Sequence, residues 1–291
     1  MSLVFSQLIN GLQSGSVYAL IALGYSMVYG IIMLLNFAHG DIIMVGAYVA
    51  WIIILHIPNP FLAIALAILA CTLLGVIIEK VAYSPLRKAP RLSLLITAIG
   101  VSFLLENLAQ LIFGAGSQQV PLLISGPALE IAGQHIGFTA FITIVVSVIS
   151  MAALTFLIKK TKMGKAMRAV SEDMGTAQLM GINVNRTISF TFAVGSALAG
   201  IGSILYCCAY PQASPTMGSM LGLKAFVAAV LGGIGSIPGA MIGGFCIGIA
   251  EAIVSAVGLS VWKDGVVFAI LIIVLIFKPT GIMGKVINEK V

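Results

Sequence analysis

Three carboxylates set in long apolar runs, Asp41, Glu106 and Glu251, are the residues best placed to do chemistry. A charge near the bilayer centre costs about 2.5–3.5 kcal/mol on insertion scales, so each must face a bundle interior or an interface. Each is therefore a candidate ion or proton site. Asp41, the first formal charge in the chain, lies in LLNFAHGDIIMVGAY (34–48), where Asn36, His39 and Gly40 also interrupt two apolar runs. Little else reads as reaction chemistry. His39, His56 and His135 are scattered, with no zinc motif, nucleophile elbow or clustered acid and base beside them. No G-x-x-x-x-G-K-[ST] occurs, and the nearest string, GIMGKV (281–286), lacks both the spacing and the hydroxyl that holds Mg²⁺. The expectation is a protein that is not an enzyme, with no catalytic or metal-binding residues and no cofactor of its own. Cys71, Cys207, Cys208 and Cys246 all lie in apolar blocks and read as packing residues.

The elements that must carry these residues are membrane helices. With 60% hydrophobic and 8% charged residues, the 291-residue chain has too little polar surface for a soluble domain. Apolar blocks run at 3–34, 42–57, 61–78, 92–113, 136–158, 187–209, 221–257 and 261–277. A span needs about 20 such residues, and these runs are continuous rather than alternating, which excludes a barrel. The expected fold is an all-α integral membrane protein, a polytopic bundle of about 8–9 transmembrane segments with broken or re-entrant helices. Residues 1–291 are expected to form one transmembrane domain. Residues 1–40 hold no Lys or Arg, so the basic region of a cleavable secretory signal is not expected there.

Charge sets the topology. Of 15 Lys and Arg, four lie in 80–91, six in 159–186 and three in 278–290, and the positive-inside rule places these regions in the cytoplasm. The connector 114–134 has none and belongs outside. Between 186 and 278 an even number of crossings is then required, so the overlong block 221–257 must be two helices. Its break is GGIGSIPG (232–239), with Pro238 the one proline inside an apolar block. Such a break is tolerated where it is buried in protein. The break at 36–41 reads equally as a helix-ending turn at the surface or as a buried interruption. Paired breaks suggest an internally repeated transporter, although no residue-by-residue repeat is visible. The two breaks, with Asn36, His39, Asp41, Gly233, Gly235, Ser236 and Pro238, are the expected lining of a translocation path.

Glycines at fourth positions (Gly11 and Gly15; Gly235, Gly239 and Gly243; Gly244 and Gly248) let helix backbones approach closely. The charged segment TKMGKAMRAVSEDMGTAQLMGI (161–182) is the exception to the apolar pattern. Met167, Val170, Met174 and Ala177 form one apolar stripe, and Ser171, Glu172 and Asp173 can start a short helix running to Gly181. Its basic flank suits anionic headgroups. Two readings fit: a surface helix lying on the membrane, or a handle for a cytosolic motor.

GSVYALIALGYSMVYGIIMLLNFAHGDIIMVGAYV (15–49), EKVAYSPLR (79–87), MGKAMRAVSEDMGTAQLMGINVNR (163–186) and KAFVAAVLGGIGSIPGAMIGGFCIGIAEA (224–252) together resemble LivH-type permeases. These are membrane subunits of the branched-chain amino acid ABC importer, and the likeness runs from about residue 11 to 284. The resemblance implies a second, LivM-like permease and two cytosolic ABC ATPases that bind ATP and Mg. It also implies a periplasmic binding protein that delivers leucine, isoleucine or valine. The chain would lie in the lipid of the bacterial inner membrane, with no nucleic-acid partner. Residues 159–186 would be the cytoplasmic coupling segment, with Glu172, Asp173, Ala177 and Gly181 as the positions carried over. The alternatives are a same-family permease for urea or short amides, or an ion-coupled secondary transporter built on Asp41, Glu106 or Glu251.

Overall fold

The computed structural model describes residues 2–284 apart from 34, 88, 125, 128, 132 and 133, so Lys88, Lys285 and Lys290 of the basic clusters lie outside the described residues. The apolar blocks become α1 (Ser2–Ile32), α2 (His39–His56), α3 (Pro60–Ile78), α4 (Arg91–Phe113) and α5 (Phe138–Lys160). After a short polar pair, α6 (Lys162–Glu172) and α7 (Met174–Leu179), come α8 (Val184–Ala209), α9 (Met217–Gly232), α10 (Ile237–Ala256) and α11 (Lys263–Phe277). Eight of these helices are long and apolar enough to span, one of them with its start extended through the short turn before α11. α9, an apolar helix of 16 residues and so about 24 Å, supplies a ninth crossing.

Helix starts follow local chemistry. Asn59 caps α3 by accepting from the Leu62 amide at 3.3 Å, with Pro60 in the first turn where its missing N–H is no loss. α3 continues through a wide turn at Glu79–Tyr83. There Arg87 closes on Glu79 and Asn185, and the Ser189 hydroxyl donates to Glu79 at 2.6 Å, which pins the end of α3 to α8. In the connector after α4, β1 (Gln118–Gln119) pairs with β4 (Gln212–Ala213), and β2 (Leu129–Ile131) pairs with β3 (Gln134–Ile136). The first pair ties the outer ends of α4 and α8 together.

Gly30, near the end of α1, packs on Gly235, and Ile31 shares a small cavity with Met167 and Arg168 of α6. α1 therefore descends to the basic end, and its start lies on the opposite side. Nine alternating crossings then put 80–91, 159–186 and 278–284 on one face and 114–134 on the other. Four of them, α8 to α11, fall between the last two basic clusters. The charge distribution and the helix count agree.

α1 is the hub, buried along most of its length against α8, α9 and α10. The seam with α10 is built from glycine. A methyl group on Gly11 would come within 2.8 Å of the Ala252 Cβ, and one on Gly15 within 2.9 Å of the Phe245 Cα. All the fourth-position glycines but Gly235 are thus internal packing surfaces. Above this seam sits a buried ion cluster: Lys224 Nζ lies 2.7 Å from Glu251 and 2.6 Å from Asp264, while the Tyr18 hydroxyl donates to Glu251 at 2.8 Å. It joins α1, α9, α10 and α11, and it supplies Glu251 with the cation that a buried carboxylate needs.

The break between α9 and α10 departs from the expectation of a fully buried bend. Gly232 and Gly233 are buried, but Gly235 and Pro238 are exposed, because the turn lies at the basic edge of the bundle. Gly233 and Gly235 have φ of +103° and +87°, values that only glycine adopts readily. Ser236 then caps α10 through the Gly239 amide at 3.2 Å, with Pro238 in the first turn. From below, Ile282 and Met283 donate to the Leu231 and Gly232 carbonyls at 2.8 and 2.9 Å, which satisfies the orphan end of α9.

A methyl group on Gly248 would overlap the backbone of Gly11 and Gly15, whereas one on Gly100 meets nothing within 4 Å. Gly248→Ala is expected to cost about 1–3 kcal/mol by overpacking, and Gly100→Ala almost nothing. Thermal unfolding in detergent, followed by loss of the monodisperse species, checks the difference.

Candidate functional site

Two regions collect the residues singled out above. The first is the α6–α7 pair at the basic face. Thr161 caps α6 through the Gly164 amide at 3.0 Å, and Gly164 sits so close to the carbonyls of Leu157 and Ile158 that a side chain there would overlap them. This tight turn makes α6 a direct continuation of α5. Met167 and Val170 are buried beneath it, facing the ends of α1 and α8. Asp173 ends α6 and caps α7, accepting from the Thr176 amide at 2.6 Å. That hydrogen bond holds the Asp173 carboxyl below the usual carboxylate range.

α7 closes at Gly181, with φ +82° and the Ile182 amide donating back to Ala177 at 3.0 Å. Of the four positions expected in the coupling segment, Glu172 and Asp173 are exposed, Ala177 is buried against the bundle and Gly181 makes the turn. The tip instead belongs to Leu179 and Met180, 89% and 79% exposed. Reading the stripe alone missed them. Their signal was two large apolar residues lying off that stripe in an otherwise polar helix.

The second region is the start of α2. Asn36, His39 and Asp41 are all buried, so this break is enclosed by protein. The Tyr83 hydroxyl donates to Asn36 at 2.7 Å, near the basic end, and His39 packs edge-on against Tyr25 with ring centroids 4.9 Å apart. Asp41 is deeper. Its polar neighbours Ser102 and Glu106 lie well inside α4, and Ser102 is about 16 Å past the basic start of that helix.

The start of α9 meets the start of α2 here. A methyl group on Gly40 would overlap the Gly218 carbonyl, and one on Gly218 would come within 2.7 Å of an Asp41 oxygen. Two helix N-termini, each worth about +0.5 charge, thus converge on one carboxylate inside the membrane. The Ser219 hydroxyl of α9 donates to Glu106. Gly233, Gly235, Ser236 and Pro238 are elsewhere, at the basic edge beside Gly30 and α6. The residues expected to line a path therefore fall at two levels, Asp41 beside the middle of α4 and the glycine turn at the basic edge.

A helical membrane bundle with broken helices inside and an amphipathic pair on its basic face has the make-up of a transport permease. The family model described as "Branched-chain amino acid transport system / permease component" matches residues 7–275, and the chain belongs to this family. Over 300 residues it is 46% identical to the high-affinity branched-chain amino acid transport system permease protein LivH of Salmonella typhimurium, covering 98% of this chain and 97% of that one. It is 44% identical over 298 residues to the permease protein BraD of Pseudomonas aeruginosa, again over 98% and 97% of the two chains. A more distant relative is the ribose import permease protein RbsC of Haemophilus influenzae, 26% identical over 282 residues, 92% of this chain and 83% of that one.

Because its folded-state pKa is depressed, the Asp173 cap stabilises α7 at neutral pH and is lost as the pH falls through that depressed value. Asp173→Ala is expected to speed hydrogen exchange at the Thr176 and Ala177 amides at neutral pH. Acidification below the carboxylate range reproduces this in the wild type, and Glu172→Gln leaves exchange unchanged.

Proposed function

We infer that this protein is the membrane permease subunit of an ATP-driven importer of branched-chain amino acids, seated in the bacterial inner membrane. The relatives' names support the substrate class. The observation that carries the ATP-driven reading is the α6–α7 pair: a short, stiff, capped helix projecting from the basic face with Leu179 and Met180 bare at its tip. An ion-coupled carrier has no use for such a handle.

The remaining parts of the machine are a second, LivM-like permease, two cytosolic ABC ATPases and a periplasmic binding protein. ATP and Mg bind to the ATPases, and this subunit needs no cofactor. α7 seats in a groove of an ATPase, with Leu179 and Met180 in contact and Glu172 and Asp173 at the rim; Ala177 and Gly181 hold its shape. When ATP draws the ATPases together, α7 moves as a rigid piece. Through Met167 and Val170, α6 passes the motion to the end of α1 and to the glycine turn beside it. The two ATPase states bind this handle differently, which is what lets them shift the bundle between outward and inward access. Substrate passes Asn36, His39 and Asp41 within the membrane and leaves past Gly233, Gly235, Ser236 and Pro238.

Co-purification with candidate ABC ATPases in detergent, with the partner permease present, tests this. The wild type is expected to retain the ATPases, and Leu179→Asp with Met180→Asp to lose them by roughly tenfold or more, as for an apolar anchor at an interface centre. Retention by the double variant, or no ATPase with the wild type, would contradict the handle.

A further inference from the structure

Asp41 is fully buried, neither of its carboxylate oxygens makes a hydrogen bond of good geometry among the described residues, and the Ser102 hydroxyl lies beside it. Glu106, 9% exposed, is its neighbour across the α2–α4 contact. No ion pair reaches either acid among the described residues, since Lys224 is taken up by Glu251 and Asp264. The N-terminal ends of α2 and α9, about +0.5 each, stand against the two acids, and a monovalent cation brought there meets no competing lysine or arginine ion pair among the described residues.

The surroundings define which cation fits. Ser102 and Ser219 bring hydroxyl oxygens to the same place, so a donor with several N–H groups finds acceptors on α2, α4 and α9. No group of three or more His, Cys, Asp or Glu that could hold a metal ion is found among the described residues. Beside Ser219, the bundle leaves one strip of α9 uncovered, where Met220 and Leu223 are 43% and 38% exposed.

We infer that Asp41 and Glu106, with the hydroxyls of Ser102 and Ser219, form the intramembrane station that holds the α-ammonium group of an amino acid in transit, its hydrocarbon side chain lying on Met220 and Leu223. This rests on the importer reading above and deepens it: the station selects for a protonated amine, so a neutral amide such as urea gains nothing from it. The ammonium donates to the Asp41 oxygens, beside the Ser102 hydroxyl.

The test uses the whole importer, both permeases and both ATPases, reconstituted in liposomes with its binding protein and radiolabelled leucine. Asp41→Asn and Glu106→Gln keep shape and remove charge; if one variant fails to assemble, the other decides. Leucine import is expected to fall roughly tenfold or more in either variant, the loss of one charge-assisted contact, while ATP hydrolysis stimulated by the loaded binding protein stays within about twofold. Import unchanged in an assembled variant overturns the proposal. So does a parallel fall of import and ATP hydrolysis, which would make the acids part of the coupling framework. If the wild-type assembly itself imports no leucine with ATP, the importer reading fails, and the proposal falls with it.

Discussion

The proposed path and its ammonium station depend on the contact between Gly40 and Gly218. Helix starts expose backbone N–H groups that hydrocarbon cannot satisfy, which is why membrane helices ordinarily begin at an interface. α2 and α9 begin inside instead, and neither has a side-chain cap. Their first turns are tightened by short backbone bonds, from His39 to Asn36 and from Met217 to Ser214, and they lie against one another with no room for a side chain between them. Two positive helix ends then share one buried carboxylate. A side chain at either glycine would force the two ends apart around Asp41.

The rest of the molecule reads as support for that arrangement. The glycine seam of α1 and α10 fixes the hub, and the Lys224 cluster ties α9, α10 and α11 to it while neutralising Glu251. At the basic end the load changes character. α6 is bolted to α5 through Gly164 and rests on the end of α1 beside the Gly233–Gly235 turn, so motion at α7 arrives where backbone is held by glycine conformations rather than by bulky packing. Rigid elements meet a deformable joint at the place where a cytosolic motor would pull.

Much of this was legible from residue types. Apolar run lengths located the spans to within a few residues, and the Lys and Arg clusters, with parity, required the block 221–257 to split. Glycine spacing announced the α1–α10 seam, and Ser171 to Asp173 announced the start of α7. What was not legible is long-range. Nothing local says that the start of α2 meets the start of α9 rather than the 232–239 break, because Gly218 looks like any small residue in an apolar run. The depth of Asp41 depends on α4 lying beside it, and the pairing of Lys224 with Glu251 joins helices far apart in the chain. Burial of Ala177 and exposure of Leu179 differ by half a helical turn, finer than a stripe of four residues can resolve.

The central claim is that ATP, applied through α7, drives movement past Asp41. The most direct measurement is accumulation of radiolabelled leucine in liposomes that hold the complete importer, with proton and sodium gradients collapsed by ionophores. The account predicts accumulation that requires ATP and the loaded binding protein and is indifferent to the ionophores. Uptake that proceeds without ATP and disappears when the ion gradients are collapsed would contradict it, and would make the buried carboxylates an ion-coupling site instead.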